Sequence, residues 1–342
     1  LLMKYKNIFI LYFSIVLLTA FSCERNDDII DNGLSEPRPA YDLSFDSISL
    51  MDSEIPHDVY RDLVFVNEKT GYAVSITGRI IKTIDSGKTW KQIASPTSLP
   101  LLSVQFLNEQ TGFIIGGDNQ SGVLLKTLNG GETWIIQDLK LASAPSSICF
   151  LSPSTGFISG ANLLIKTEDG GQNWINIKKH ASFQSYGDIK FKNPYEGLVL
   201  MTKGSYLKTT DGGSTWDSLK CNNSHNFSKI FYSKYKTFFW SNSRILTINS
   251  ACQETIIEVP LMINLIFINE YQSIGIGQHY NELGYFPYGD ILITNDTWKN
   301  HVRKTYSPGD AFVFTAISKM SAKKVMIIVT GFSTTKVLIF NL

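Results

Sequence analysis

Cysteine is scarce, with four among 342 residues, and no two of them stand in a Cys-x-x-Cys spacing, which removes a thiol-ligated metal or a redox pair. With Cys23 set aside for the reason given below, Cys149, Cys221 and Cys252 remain, an odd number that builds no disulfide framework. Cys149 lies beside Phe150 in an apolar run and reads as core; whether Cys221 and Cys252 pair stays open. Charge of one sign is missing too. The 31 Lys and Arg balance 30 Asp and Glu to a net +1 with no dense basic run, whereas a nucleic-acid partner leaves a basic stripe. The five histidines are dispersed without a His-x-x-x-His pair, so no metal or cofactor is expected. No Gly-rich phosphate loop opens a helix, no Gly-x-Ser-x-Gly nucleophile turn is present, and no long helical periodicity runs through the chain.

What is abundant is a repeated phrase: an aliphatic pair, Lys-Thr, a polar turn and a Trp. The copies are Lys82–Trp90, Lys126–Trp134, Lys166–Trp174 and Lys208–Trp216, with Trp-to-Trp steps of 44, 40 and 42 residues. A period of this size means one supersecondary unit repeated around a ring or along a solenoid. A second phrase travels upstream of it, Phe65 to Tyr72 with Thr70-Gly71, then Phe106 to Phe113 and Phe150 to Phe157. Weaker versions begin at Phe191, Phe231, Phe267 and Ile317, so that the anchors step by 41, 44, 41, 40, 36 and 50 and count seven units. In the fifth and sixth units the turn phrase survives only as remnants, around Asn249 and in Thr294–Trp298.

Within each unit the hydrophobic pattern switches on and off four times, in the second unit at Leu102–Phe106, Gly112–Gly116, Gly122–Lys126 and Thr133–Gln137. Four short strands in about 41 residues make one propeller blade. The turn residues Asp85, Asn129, Asp169, Asp211 and Asp296 are expected to accept hydrogen bonds from backbone groups two residues on. Gly supplies the left-handed backbone, and Trp90, Trp134, Trp174, Trp216 and Trp298 pack back across the turn. The last unit offers three strands, Ala311–Ser318, Lys324–Gly331 and Lys336–Asn341, while Tyr41–Leu50 alternates as a strand with no blade of its own. The sequence therefore predicts an all-β, seven-bladed β-propeller of four-stranded antiparallel blades, with the N-terminal strand completing the last blade as its outermost strand. That arrangement leaves no open edge.

Residues 1–22 read as a targeting segment: Lys4 and Lys6 precede the apolar run Ile8–Ala20, and Ser22-Cys23 follows. The run is shorter than the about 20 residues of a membrane helix. It looks like a bacterial lipoprotein signal with Cys23 as the lipidated residue. Residues 23–40, acidic and then polar with Pro37 and Pro39, read as a flexible tether, and residues 41–342 as a single propeller. The expected location is the bacterial envelope, anchored by lipid, at the outer membrane.

The turn phrase resembles the Asp-box of sialidases, Ser/Thr-x-Asp-x-Gly-x-x-Trp. Together with the upstream Phe-x-Asn-Glu-x-x-Gly-Phe element, it is most similar to the photosystem II assembly and stability factor family of chloroplasts and cyanobacteria. The resemblance covers residues 41–342, strongly over the first four units. It implies a seven-bladed propeller acting as a non-catalytic assembly scaffold. The arginine-rich patch of that family is reduced here: the body of the chain holds only Arg61, Arg79, Arg244 and Arg303, with Arg79 and Arg244 at the start of a third strand. A sialidase would need three convergent arginines, which Arg61, Arg79 and Arg303 would have to supply, and an acid such as Asp58 or Asp62. The Phe-Arg-Ile-Pro element of that family is missing, and no catalytic residue is assigned.

Binding residues are expected where the loops joining second to third strands, and one blade to the next, gather on one face. The sixth unit carries an extended loop there, Gln278–Gly289, with His279, Tyr280, Tyr285, Phe286 and Tyr288; Trp240, Arg244, Arg79 and Tyr186 complete the candidate face. Aromatic rings on a long loop give rigid contact area to a protein or a sugar. They can equally fold down over a degenerate blade, and a Trp at the strand position of Trp240 more often belongs to a core. A protein partner is the expected ligand of a protein acting as a monomer; a glycan-binding module and a divergent sialidase-like glycosidase are the alternatives.

Overall fold

Polar turns cut the apolar pattern into strands mostly of four to six residues, and the chain zips each group of four into its own antiparallel sheet. The computed structural model describes residues 48–118, 120–139, 141, 144–177, 185–220, 226–232, 236–249, 254–268, 272–279, 288–294, 298, 301–306, 312–321, 324–331 and 335–341. Seven four-stranded sheets result, and in six of them strand order follows sequence order. Blade 1 comprises Tyr60–Phe65, Gly71–Ser75, Ile80–Thr83 and Lys91–Ile93. Blade 2 comprises Leu101–Phe106, Gly112–Gly117, Gly122–Thr127 and Ile135–Asp138, within a residue or two of the strands expected. The inner strands of blades 3 to 6 are Pro145–Phe150, Tyr186–Phe191, Lys229–Tyr232 and Asn264–Phe267.

Closure takes the expected form. Blade 7 runs inward to outward as Phe312–Ser321, Lys324–Gly331, Thr335–Asn341 and then Ile48–Ile55, which pairs antiparallel with Thr335–Asn341 through Ile48↔Phe340 to Met51↔Val337. The closing strand lies later than the Tyr41–Leu50 alternation suggested, and residues 41–47 fall outside the described residues. The junction is latched from the blade 1 side: the Asp58 carbonyl accepts from the Thr330 and Thr335 hydroxyls at 2.8 and 3.4 Å.

The core is divided into seven parts, each lying between neighbouring blades. Ile114, Leu125 and Trp134 of blade 2 pack on Val74 and Ile80 of blade 1, and Phe157 and Leu164 of blade 3 pack on Ile189, Val199 and Leu207 of blade 4. The seventh part joins Tyr60, Leu63, Ile81 and Trp90 of blade 1 to Met326 and Ile328 of blade 7. Both faces of every inner sheet region are thus covered, and second strands such as Gly112–Gly117 are buried at every residue. That is why their sequence is continuously apolar instead of alternating.

The Phe-to-Gly spacing has a steric cause. A Cβ on Gly71, Gly112, Gly156 or Gly197 would sit 2.8, 2.6, 2.6 or 2.7 Å from the ring of Phe65, Phe106, Phe150 or Phe191, its cross-strand partner. In blade 5 the equivalent rung is Tyr232↔Thr237, so Phe231 lies one position inside it. In blade 7 Ile317 pairs with Ile327 in mid-strand rather than at the strand end.

The turn phrase is a hydrogen-bond circuit built on the Thr. Thr83 Oγ1 accepts from the Gly87 N–H at 2.9 Å and donates to Asp85 at 2.8 Å, and Asp85 accepts from the Thr89 N–H and hydroxyl at 2.9 and 2.6 Å. The acceptor's backbone partner is therefore four residues on, not two, because the chain makes a wider loop through two consecutive left-handed residues. Those residues are Gly130-Gly131, Gly170-Gly171 and Gly212-Gly213, with Ser86 (φ 64°) replacing the first glycine in blade 1. Trp90 Nε1 closes the loop on the Gly87 carbonyl at 3.1 Å. The Lys before the Thr belongs to the next blade's turn: Lys82 Nζ donates to the Gly130 carbonyl at 2.7 Å while lying over the Tyr72 ring. Lys126 repeats this toward Gly170.

Blade 6 solves the same problem differently. The Trp298 N–H donates to Thr294 Oγ1 at 3.0 Å with φ of 68°, so Trp298 occupies the backbone slot of the second glycine, not that of Trp216. Its ring nonetheless fills the core between blades 5 and 6. Asp296 lies outside the described residues.

The turn carboxylates carry a pH signature. Hydrogen bonds from the Asn173 backbone and side chain pull the Asp169 pKa down to about 2. A depressed carboxylate contributes stability that is complete above its unfolded value of 3.8 and is lost as the pH falls toward about 2. Asn129 fills the same slot in blade 2 without titrating. Asp169→Asn, with the Asn173 amide turned to accept, is expected to keep the fold at pH 7 and to flatten the loss of stability between pH 4 and pH 2. Denaturant titrations at the two pH values would show it, and an unchanged pH slope would contradict the assignment.

Candidate binding face and channel

Antiparallel meanders put every second-to-third hairpin and every blade-to-blade connection at one end of the sheets, and the turn circuits at the other. The Arg79 and Arg244 hairpins, and the long hairpin of blade 6, therefore share an end. In blade 6 the strands Ser273–His279 and Tyr288–Thr294 each run seven residues and stay paired out to His279↔Tyr288, one to three rungs beyond the hairpins of blades 1 to 5. Tyr280, Tyr285 and Phe286 lie outside the described residues, as do Cys221 and Cys252.

Neither arginine is an uncommitted cation. Arg79 Nε lies 3.6 Å from the Asp58 carboxylate, which is buried and also accepts from Ser75 Oγ at 2.8 Å, from Thr77 Oγ1 and from the Val59 N–H at 2.7 Å. Arg244 meets its cross-strand neighbour Glu258 at 2.5 Å. Arg303 lies on the outer strand of blade 6 beside buried Asp290 at 3.5 Å, while Arg61 lies on the inner strand of blade 1. The three arginines of the sialidase reading thus occupy an inner strand, a hairpin and an outer strand in two blades.

Tyr186 and Trp240, each 2 % exposed, are core residues, Tyr186 between blades 3 and 4 and Trp240 between blades 5 and 6. The apolar surface at this end comes instead from Val59, Ile76, Leu261 and Ile263, each between 37 and 64 % exposed.

Behind the face, the inner strands of blades 1 to 6 line a cavity of about 680 Å³. One level of it is a ring: Asp62, Ser103, Ser147, Asp188, Lys229 and Asn264 each stand three residues before the aromatic that ends the inner strand. Asp62 accepts from the Leu63 N–H (3.0 Å) and from Ser103 Oγ and the Val104 N–H (both 2.9 Å). Asp188 accepts from Ser147 Oγ (2.7 Å) and the Ile230 N–H (2.9 Å). These carboxylates, together with Gln105 on the Phe150 backbone, tie one inner strand to the next. Sequence reasoning missed this ring; its only trace is a polar residue at the same offset in six inner strands.

Seven blades, Thr-Asp-Gly turns and a strand-closed ring define a β-propeller of the BNR repeat type. Residues 42–128 match the family model described as Photosynthesis system II assembly factor YCF48. A structure of YCF48 bound to a D1 peptide is similar with a TM-score of 0.65 at 16% identity, covering 88% of this chain and 98% of that one. YCF48 from Cyanidioschyzon merolae is similar with a TM-score of 0.62 at 17% identity over 86% and 98%. The GH74 enzyme of Niastella koreensis is similar with a TM-score of 0.67 at 13% identity, over 84% of this chain and 53% of that enzyme. No curated protein sequence matches the chain.

Proposed function

We propose that the chain is a lipid-anchored propeller of the bacterial cell envelope that binds a protein partner at the hairpin end and performs no catalysis. The observation that carries the reading is the likeness over nearly the whole propeller to YCF48, which has been solved bound to a D1 peptide. The local features agree with it. The blade 6 hairpin extends past those of blades 1 to 5, and exposed apolar residues share this end with Arg79 and Arg244, whose charges are partly met by Asp58 and Glu258. Such a mixed apolar and polar surface suits a protein better than a sugar. The likeness to the GH74 enzyme, at 13% identity, concerns the fold alone. Anchoring rests on the Ile8–Ala20 run followed by Ser22-Cys23.

The test is cross-linking in intact cells followed by mass spectrometry, with the wild-type chain and a variant in which residues 280–287 are replaced by Asn-Gly. The variant is expected to fold, since the hairpin ladder below His279 and Tyr288 is untouched, and to lose the protein adducts formed by the wild type. Adducts unchanged by the replacement would reject the loop as the contact. Palmitate labelling abolished by Cys23→Ser would support the anchor; labelling that persists would reject it.

A further inference from the structure

We propose that the central channel is a binding site for a small polycarboxylate, held by Arg61, Lys190 and Lys229. The proposal is independent of the partner reading above. Five charged groups line the cavity, and they divide sharply by what they do. Asp62 and Asp188 are spent on backbone N–H groups and serine hydroxyls of neighbouring blades. Arg61, Lys190 and Lys229 are exposed to the channel, and their side chains donate no hydrogen bond to any described residue. The lining therefore offers donors facing the void and acceptors facing the wall.

Placement sets the kind of ligand. Lys190 and Lys229 come from adjacent blades 4 and 5, and Arg61 comes from blade 1, three blades away in either direction around the ring. An elongated anion with acidic groups at both ends can meet both sides, and the guanidinium fork matches a carboxylate bidentately. The volume of about 680 Å³ lies within the roughly 300–1,000 Å³ of small-molecule sites. Low-dielectric channel walls focus the field of the cations on the void. The Asp188 carboxylate raises Lys190 above the ordinary lysine value, which keeps it charged throughout the physiological range. Free polycarboxylates and the acidic side chains of a peptide present the same chemistry.

Isothermal titration of the full chain with citrate, and separately with tetraglutamate, in low-salt buffer tests this. Saturable binding of either probe is expected, weakened about tenfold by Lys190→Met or Lys229→Met as one charge-assisted hydrogen bond is lost, and unchanged by Lys91→Met on the exposed outer strand of blade 1. Citrate binding alone identifies a free acid as the ligand, and tetraglutamate binding alone a chain-borne one. Acetylation footprinting of the wild type covers the case in which a variant fails to fold: citrate should protect Lys190 and Lys229 but not Lys91. Absence of saturable binding by both probes, or equal weakening by Lys91→Met, overturns the proposal.

Discussion

A chain that begins at Pro56 is expected to lose its cooperative unfolding transition and to associate, because the ring then lacks its last strand. Ile48–Ile55 supplies the whole outer edge of blade 7, pairing along Thr335–Asn341, and Ile55 belongs to the core that blades 7 and 1 share. Removing it bares a row of unpaired N–H and C=O groups on Thr335–Asn341, a template for pairing with another chain. Each lost ladder bond is worth about 0.5–1.5 kcal/mol, against a total margin of about 5–15 kcal/mol for a typical domain. The effect should spread beyond blade 7, because Asp58, two residues past the cut, joins blade 1 to Thr330 and Thr335 of that blade. Size-exclusion chromatography and thermal denaturation would show oligomers and a broadened transition, and a peptide of residues 46–56 added in trans should restore the monomer. A truncated chain that stays monomeric with an unaltered Tm would mean that the ring is closed by something other than this strand.

The period was legible because each turn solves one geometric problem with one circuit. Thr83, Thr127, Thr167 and Thr209 all accept from an N–H four residues on. Closure was legible because three strands at the C-terminus and one orphan near the N-terminus add to four. What stayed hidden are contacts between positions of different blades. The Asp62–Ser103 and Asp188–Ile230 bonds join residues 41 and 42 apart, and the Asp58–Thr335 bond joins residues 277 apart. A repeat read by its most conspicuous letters does not resolve them. The candidate face meets the same limit. Tyr186 joins it by its place at the start of an inner strand, and Trp240 by its place near the end of a second strand that more often holds core, but in a ring both strands have a neighbouring blade on each face, and both side chains are buried. Trp298 followed the period in number while its backbone took a different slot, since the Thr circuit constrains hydrogen bonds rather than residue count.

Replacing Phe150 by Ala should cost about 3–5 kcal/mol, the range for a large aromatic removed from a core. Its ring, 2 % exposed, stacks on Phe113 of blade 2 at 3.6 Å between centroids and 5° between planes, and meets Trp174 edge-on at 6.3 Å. The site cannot collapse readily, because Gln105 of blade 2 grips both the N–H and the C=O of Phe150 and fixes the distance between the two inner strands. The same ring lies over Gly156, where an added Cβ would come within 2.6 Å of it, so Gly156→Ala alone should destabilise by about 1–3 kcal/mol through overpacking. The two losses have one cause seen from opposite sides. In the double variant the methyl added by Gly156→Ala would enter space that the Phe150 ring has left, so the summed destabilisation should fall short of additivity by about 1 kcal/mol or more. Urea titrations of the four proteins give the cycle directly. Strict additivity would mean that the Phe-to-Gly spacing repeated through the first four blades serves the backbone of Gly156 and not the ring above it.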